Sequence, residues 1–317
     1  MRVLITGGTG FIGSHLTRFL VNKGISVAVL KRPKSNPWRI LDVLPSVKII
    51  NCDLNLIKRC SPAYHDIRSF RPDVVFHLAW FGVSNLYRND PAQIDYNLKS
   101  SLNLMRLVAE AGCNRWIGLG SQAEYGKYNR PIKEDFATRP TTMYGAVKLC
   151  VCLLTQKLCE INGVDFVWLR LFSAYGPADN PNWLIPYVIL KLLSKQKPSL
   201  TLGEQQWDYI YIDDVVKALW KVSITPSAQG IFNLASGKTY KIRYIVERIR
   251  DLIDPSLPLG FGEIPYQSDQ IVHLEADITR LTNAISWRPL VDIDEGLKRT
   301  VEWFRKNSRR YKQFLQR

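Results

Sequence analysis

Histidine and methionine are scarce in this chain, four and three residues out of 317. The six cysteines, Cys52, Cys60, Cys113, Cys150, Cys152 and Cys159, form no C-x-x-C pair and no cluster with histidine. Neither a disulfide framework nor a metal site is therefore expected, and the thiols read as reduced packing residues. No apolar run approaches the roughly 20 residues that a membrane-spanning helix requires. Met1 leads straight into strand-like residues without a signal-peptide pattern, so the expectation is a soluble, cytoplasmic protein with no membrane span. Acidic side chains are in deficit, 28 Asp and Glu against 43 Lys and Arg, a formal net charge of +15 that favours anionic ligands. The densest basic run, residues 305–312, reads as a solvated helix end. No nucleic-acid-binding module accompanies it, and no nucleic-acid partner is expected. Internal repeats, low-complexity stretches and a clean linker are also missing.

Strand-like runs alternate with helical ones: 2–5, 27–30, 47–51, 74–78, 116–119 and 166–171. Alternation of this kind predicts an α/β fold with a doubly wound parallel sheet. A late strand at 231–235 is expected to return to the sheet edge. Residues 1–173 with 205–236 are assigned to the sheet-bearing part. Residues 174–204 with 237–317, richer in Pro and Trp, are assigned to a smaller C-terminal α/β lobe over the carboxyl ends of the strands, where ligands of open α/β sheets sit.

The first strand runs directly into Thr6-Gly7-Gly8-Thr9-Gly10-Phe11-Ile12-Gly13, and helical apolar spacing follows from Ser14. Glycines alone mark any tight turn. In a strand-turn-helix setting Gly7 permits the turn, Gly10 lets backbone N–H groups approach a pyrophosphate, and Gly13 lets the helix pack on the strand. Open N–H groups and the dipole at the helix start favour the negative charge. These features point to a dinucleotide-binding (Rossmann) sheet.

Tyr144-Gly145-Ala146-Val147-Lys148 places a phenol and an ammonium four residues apart, on one helix face. A phenol near pKa 10 carries protons poorly at neutral pH, and a neighbouring ammonium favours the phenolate. Beside a dinucleotide, the pair suggests hydride transfer at a carbon–oxygen bond, with Tyr144 as proton carrier and Lys148 also reaching the nicotinamide ribose.

The two strings together resemble the extended short-chain dehydrogenase/reductase family, the epimerase/dehydratase type that acts on nucleotide-linked sugars. Matching strings follow in order: Asp53-Leu54, His77-Leu78-Ala79, Asn97, residues 121–126, Tyr175-Gly176-Pro177, residues 208–215, residues 233–237 and Trp287-Arg288-Pro289. The resemblance implies that Ser121, Tyr144 and Lys148 are catalytic, with Ser121 hydrogen-bonding the reacting oxygen. It implies cofactor contacts at Gly7, Gly10, Phe11, Ile12, Gly13, Asp53, Leu54, Leu78, Ala79, Trp80, Asn97 and Leu171, with Asn97 alternatively a structural residue that bonds backbone around the site. It also implies a homodimer through helices at about 92–111 and 144–162, both apolar on more than one side.

Three departures shape the expected chemistry. Gln122 and Ala123 stand where the family's dehydratases carry acids, which disfavours elimination, and Glu124 should point to the opposite side. Lys31-Arg32 end the second strand where an acid would hold both ribose hydroxyls of NAD. A cation there suits a 2′-phosphate, so NADP(H) is preferred over NAD(H). Ser173, Trp207 and Gln267 replace polar or cationic substrate contacts of relatives, leaving Arg88, Lys191 and Lys195 as substitute cations and Gln122 as a further substrate contact. The leading expectation is NADPH-dependent reduction of a nucleotide-linked keto sugar, a 4-keto-6-deoxyhexose. The alternatives are a nucleotide-sugar epimerase and a non-catalytic NADP-binding sensor.

Overall fold

A computed structural model describes residues 1–266 and 270–311, so Gln267 lies outside the described residues. The main sheet has seven parallel strands: β1 (Arg2–Thr6), β2 (Ser26–Lys31), β3 (Val47–Asn51), β4 (Val74–His77), β5 (Arg115–Ser121), β6 (Asp165–Leu171) and β7 (Gly230–Leu234). Their order is β3-β2-β1-β4-β5-β6-β7, with β7 at the edge beside β6. Apolar runs such as Val3-Leu4-Ile5 have both faces buried, as a sheet covered on both sides by helices demands.

Three helices cover one face: α2 (Pro62–Phe70), α3 (Lys99–Glu110) and α4 (Met143–Asn162). They share a core that includes Leu104, Val108, Val151 and Trp168. The 20 residues of α4 start at Thr142, whose hydroxyl accepts from Gly145 N (3.1 Å), and stop at Gly163 in the left-handed region. Cys152 and Cys159 on this helix are fully buried packing residues, and all six thiols are free.

The other face carries α1 (Phe11–Asn22) and α6 (Ile212–Ile224). Beyond them lie α5 (Leu184–Leu193), α7 (Ile242–Ile253), α8 (Thr279–Ile285) and α9 (Ile293–Asn307). On α7 the buried residues Ile242, Ile245, Val246 and Ile249 form one stripe at helical spacing. A single core runs from Val3 and Ile5 of β1 through α1 and α6 into α5, α7 and α9. The C-terminal segments therefore share the sheet's core.

Several of the late strings are mortar. Asp208, fully buried, accepts from Ser236 N (2.8 Å), Ser236 Oγ (2.6 Å) and Gly237 N (3.0 Å), joining the 208 and 233–237 strings. Asp214 accepts from Leu290 N (2.9 Å) and Val291 N (2.8 Å), just past Trp287-Arg288-Pro289. Strand order reverses between β1 and β4, and the crevice at their carboxyl ends is where such sheets take ligands.

Candidate active site

The glycine turn is built for close backbone approach. Gly7 has φ +71°, and a Cβ there would sit 2.8 Å from Ala79 N at the end of β4. A Cβ on Gly13 would lie 2.1 Å from Gly7 O, so only glycine lets α1 seat against the turn. Gly10 starts α1, and no side chain caps that first turn, which leaves the helix start open to an anionic group. The residues present thus fit a dinucleotide pyrophosphate.

The floor of the crevice is a buried hydrogen-bond relay. Thr6 Oγ1 accepts from Leu78 N (3.2 Å) and Ala79 N (3.1 Å), so its proton goes to His77 Nδ1 (2.9 Å). His77 Nε2 then donates to Ser101 Oγ (2.8 Å), and Ser101 donates to Asn97 O (2.6 Å). Burial, and then the nearby Lys148, push His77 down to about 3, so it stays neutral in this one tautomer.

Asn97 was expected among the cofactor contacts, and its side chain is used elsewhere. Its Oδ1 accepts from Phe81 N (2.8 Å), and its Nδ2 donates to Phe81 O (3.1 Å) and Gln93 Oε1 (2.8 Å). Gln93 in turn holds Gly82 O (2.7 Å), Tyr87 O (2.9 Å) and Trp80 Nε1 (2.9 Å). Asn97 clasps the loop after β4. Gln93 is a clasp that no sequence signal singled out, because an interior glutamine looks like any helix residue until its loop is in place.

Ser121 ends β5 and caps the short turn 122–124, where Ala123 N donates to its Oγ (3.2 Å). Its own O–H proton remains to meet a ligand oxygen, so capping and an active hydroxyl coexist. Tyr144, in the first turn of α4, is 6% exposed and meets Trp80 edge-on at 6.0 Å. Burial raises its pKa, while the Ser121 side chain and the Arg88 guanidinium, 5.4 Å from the ring centre, pull it down. Lys148 lies 3.6 Å over the Trp80 ring and donates to Leu119 O (2.6 Å). Burial pulls the Lys148 ammonium down to about 7, and Glu124 opposes that fall.

A stability prediction follows for the cofactor-free protein. In the unfolded chain Lys148 keeps its proton to about pH 10.4. Between about 7 and that value the unfolded state binds more protons, so the ammonium's penalty on the fold is full below about 7 and fades as pH rises. Lys148→Met should therefore melt above the wild type at pH 6.5, and the gap should narrow steadily as the pH rises towards 10, read by paired thermal melts.

The remaining sequence candidates divide. Gln122 is buried beside Ser121 with its Oε1 unpartnered, and Arg88 Nε is also buried without a partner. Neither atom is spent on a partner among the described residues. Ser173 and Trp207 are spent on each other, Trp207 Nε1 donating to Ser173 Oγ (2.7 Å). Lys191 bonds Gln196 on the surface (2.8 Å). Asp53 caps its own short helix by accepting from Asn55 N (3.0 Å), and Leu54 packs on the α2/α3 core.

Lys31 does not present the free cation expected for a 2′-phosphate. Its Nζ folds back onto three carbonyls of its own loop, Arg32 O (3.0 Å), Pro33 O (3.1 Å) and Ser35 O (3.1 Å). An ammonium has three protons, and all three are committed. Among the described residues no helix is long and apolar enough to cross a membrane.

A family model for the NAD dependent epimerase/dehydratase family matches residues 3–235, spanning the glycine turn, the Ser121 turn and the Tyr144/Lys148 helix. The chain belongs to that family. It is thus an NAD(P)-dependent nucleotide-sugar enzyme of the extended short-chain dehydrogenase/reductase type. It is 28% identical over 319 residues to a UDP-glucuronate 4-epimerase of Thermodesulfobacterium geofontis, covering 96% of each chain. The fold is similar to that of a UDP-N-acetylglucosamine 4-epimerase from Methanobrevibacter ruminantium solved with UDP-N-acetylmuramic acid: TM-score 0.87, 29% identity, 96% of this chain and 98% of that one. It is also similar to a UDP-glucose 4-epimerase from Thermus thermophilus in complex with NAD: TM-score 0.86, 25% identity, 96% and 99%.

Proposed function

We propose that the protein epimerises a nucleotide-linked sugar at C4 with NAD, by oxidising the C4 hydroxyl and re-reducing the ketone from the opposite face. The observation that carries this reading is the Ser121, Tyr144 and Lys148 set beside the glycine cradle, with no carboxylate in the place that elimination would require. Gln122 occupies that place, and Glu124 is turned away into an ion pair with Arg170 (2.8 Å). NAD, when bound, supplies a hydride acceptor that returns the hydride. Tyr144 takes the proton from the C4 hydroxyl and later gives it back. Ser121 holds the same oxygen through its free O–H. Lys148 stabilises the phenolate.

The net-reduction reading leaned on a cation for the 2′-phosphate, and Lys31 is committed to its own loop. Relatives named as 4-epimerases, one solved with NAD, support the reversible reaction instead. Incubation with NAD and UDP-N-acetylglucosamine or UDP-glucuronate should yield the 4-epimer with no lasting change in absorbance at 340 nm, and calorimetry should show NAD binding tighter than NADP. Stoichiometric consumption of NADPH by a 4-keto-6-deoxy nucleotide sugar would overturn the proposal in favour of reduction.

The assembly we infer is a homodimer through α3 and α4. Leu153, Leu154 and Ile161 on α4, and Ile94 and Tyr96 just before α3, are large apolar residues left exposed. The two helices pack side by side and can form a four-helix seam with a second copy. Sedimentation equilibrium should give about twice the chain mass, and Leu153→Glu combined with Ile161→Glu should give the single-chain mass.

A further inference from the structure

We infer that Glu124 is a positioning residue of this centre: locked between β5 and β6 by Trp168 and Arg170, its carboxylate holds the Ser121 amide and so fixes the turn that presents the Ser121 hydroxyl, with a buried negative charge at that turn. The inference rests on the Ser121/Tyr144/Lys148 reading.

Glu124 is fully buried, and its two oxygens are saturated. Oε1 accepts from Ser121 N (2.8 Å) and Trp168 Nε1 (3.0 Å), and Oε2 accepts from Trp168 Nε1 (3.2 Å) and Arg170 Nε (2.8 Å). The backbone is shaped around it: a Cβ on Gly120 would lie 2.5 Å from Oε1 and 2.2 Å from Trp168 Nε1. Arg170, 3% exposed, also lies over the Tyr125 ring at 4.4 Å. A buried ion pair of this kind is poor evidence for stability, since apolar residues of similar volume are often as stable. Its placement suggests a different use. The Ser121 amide that it holds belongs to the residue whose hydroxyl faces the substrate oxygen.

Lys148 makes its hydrogen bond to a neutral carbonyl, Leu119 O. Glu124 is the carboxylate that raises the pKa of Lys148, and it raises that of Tyr144 as well. The other groups facing the pair do not replace it. His77 from β4 is neutral, the Cys152 thiol on α4 is held protonated by burial, Arg170 from β6 is a cation, and so is Arg88 from the loop after β4. Among the described residues, Glu124 is the carboxylate that acts on both Lys148 and Tyr144.

Glu124→Gln keeps an acceptor for Ser121 N and removes the charge. Both limbs of the kcat/KM profile with NAD and UDP-N-acetylglucosamine should move to lower pH, by roughly one unit, the two apparent pKa values belonging to the Tyr144/Lys148 pair. A substrate-free readout separates this from the functional reading: tyrosinate absorbance of the NAD complex, with the Tyr144→Phe spectrum subtracted, should titrate lower in the variant. If Glu124→Gln does not fold, Glu124→Gln with Arg170→Leu removes both charges, and a smaller shift in the same direction is expected. Folded variants that lose kcat with both limbs and the tyrosinate titration unmoved would overturn the inference and leave Glu124 a packing residue. If the wild type turns over none of the sugars while the tyrosinate titration still shifts, the epimerase reading fails and the assignment of Glu124 stands.

Discussion

Tyr144→Phe should lower turnover about a thousandfold while leaving NAD affinity within a factor of about three. Proton transfer by a positioned side chain contributes typically 10²–10⁴-fold, and this substitution removes the group to which the proposed reaction assigns the proton transfer. The ring itself stays. Tyr144 packs edge-on against Trp80 and under Arg88, and a phenylalanine keeps those contacts. Ser121 still offers its hydroxyl and Lys148 still sits over Trp80, so a small residual rate is expected from orientation alone. Initial rates at saturating nucleotide sugar, with calorimetry for NAD, give both numbers. A variant retaining more than a tenth of the wild-type rate would move the proton carrier to another residue.

How much of this was legible in the sequence depends on whether a signal was local. The sheet was, because apolar runs such as Val3-Leu4-Ile5 and Val74-Val75-Phe76 bury both faces and are closed by turns. The return of β7 to the sheet edge was legible for the same reason. The glycine turn and the Tyr144/Lys148 spacing could be read because each needs one backbone conformation or one helix face. Glu124 was expected to point away from the site by alternation, and it does turn into the β5/β6 core, but through the turn: as third residue after the Ser121 cap its carboxylate folds back onto Ser121 N.

Sequence says least where a side chain has two possible partners and only the fold decides. Lys31 stands at the right place in the chain for a 2′-phosphate, but Pro33 and Ser35 bend the loop so that three carbonyls reach its ammonium first. Asn97 could be read either as a cofactor contact or as a residue that bonds backbone around the site, and its side chain bonds the Phe81 backbone and Gln93 Oε1. Ser173 and Trp207, 34 residues apart, satisfy one another across the crevice. No periodicity reports such pairings, since they depend on where two loops meet. Composition set residues 174–204 and 237–317 apart, and the core that they share with the sheet, from β1 to α9, could be seen only once α1 and α6 were packed together.

The turn that opens the chain carries the other large expectation, and a pair of identical substitutions tests it. At Gly13 an added methyl would lie 2.1 Å from Gly7 O and 2.8 Å from Gly8 Cα, both backbone atoms that cannot swing aside. Gly13→Ala must push the start of α1 off the turn, at a cost of about 3 kcal/mol in stability. It must also spoil the approach of the helix start to the pyrophosphate, raising the NAD Kd about a hundredfold, or about 2.7 kcal/mol. At Gly24 the same methyl meets nothing within 4 Å, but φ is +72°. Gly24→Ala should therefore cost only the left-handed strain of about 1 kcal/mol and leave NAD affinity unchanged. Denaturant melts and calorimetry on both variants separate close packing at the cradle from backbone strain. Equal losses of NAD affinity at the two positions would mean that the turn acts through general stability rather than through contact with the dinucleotide.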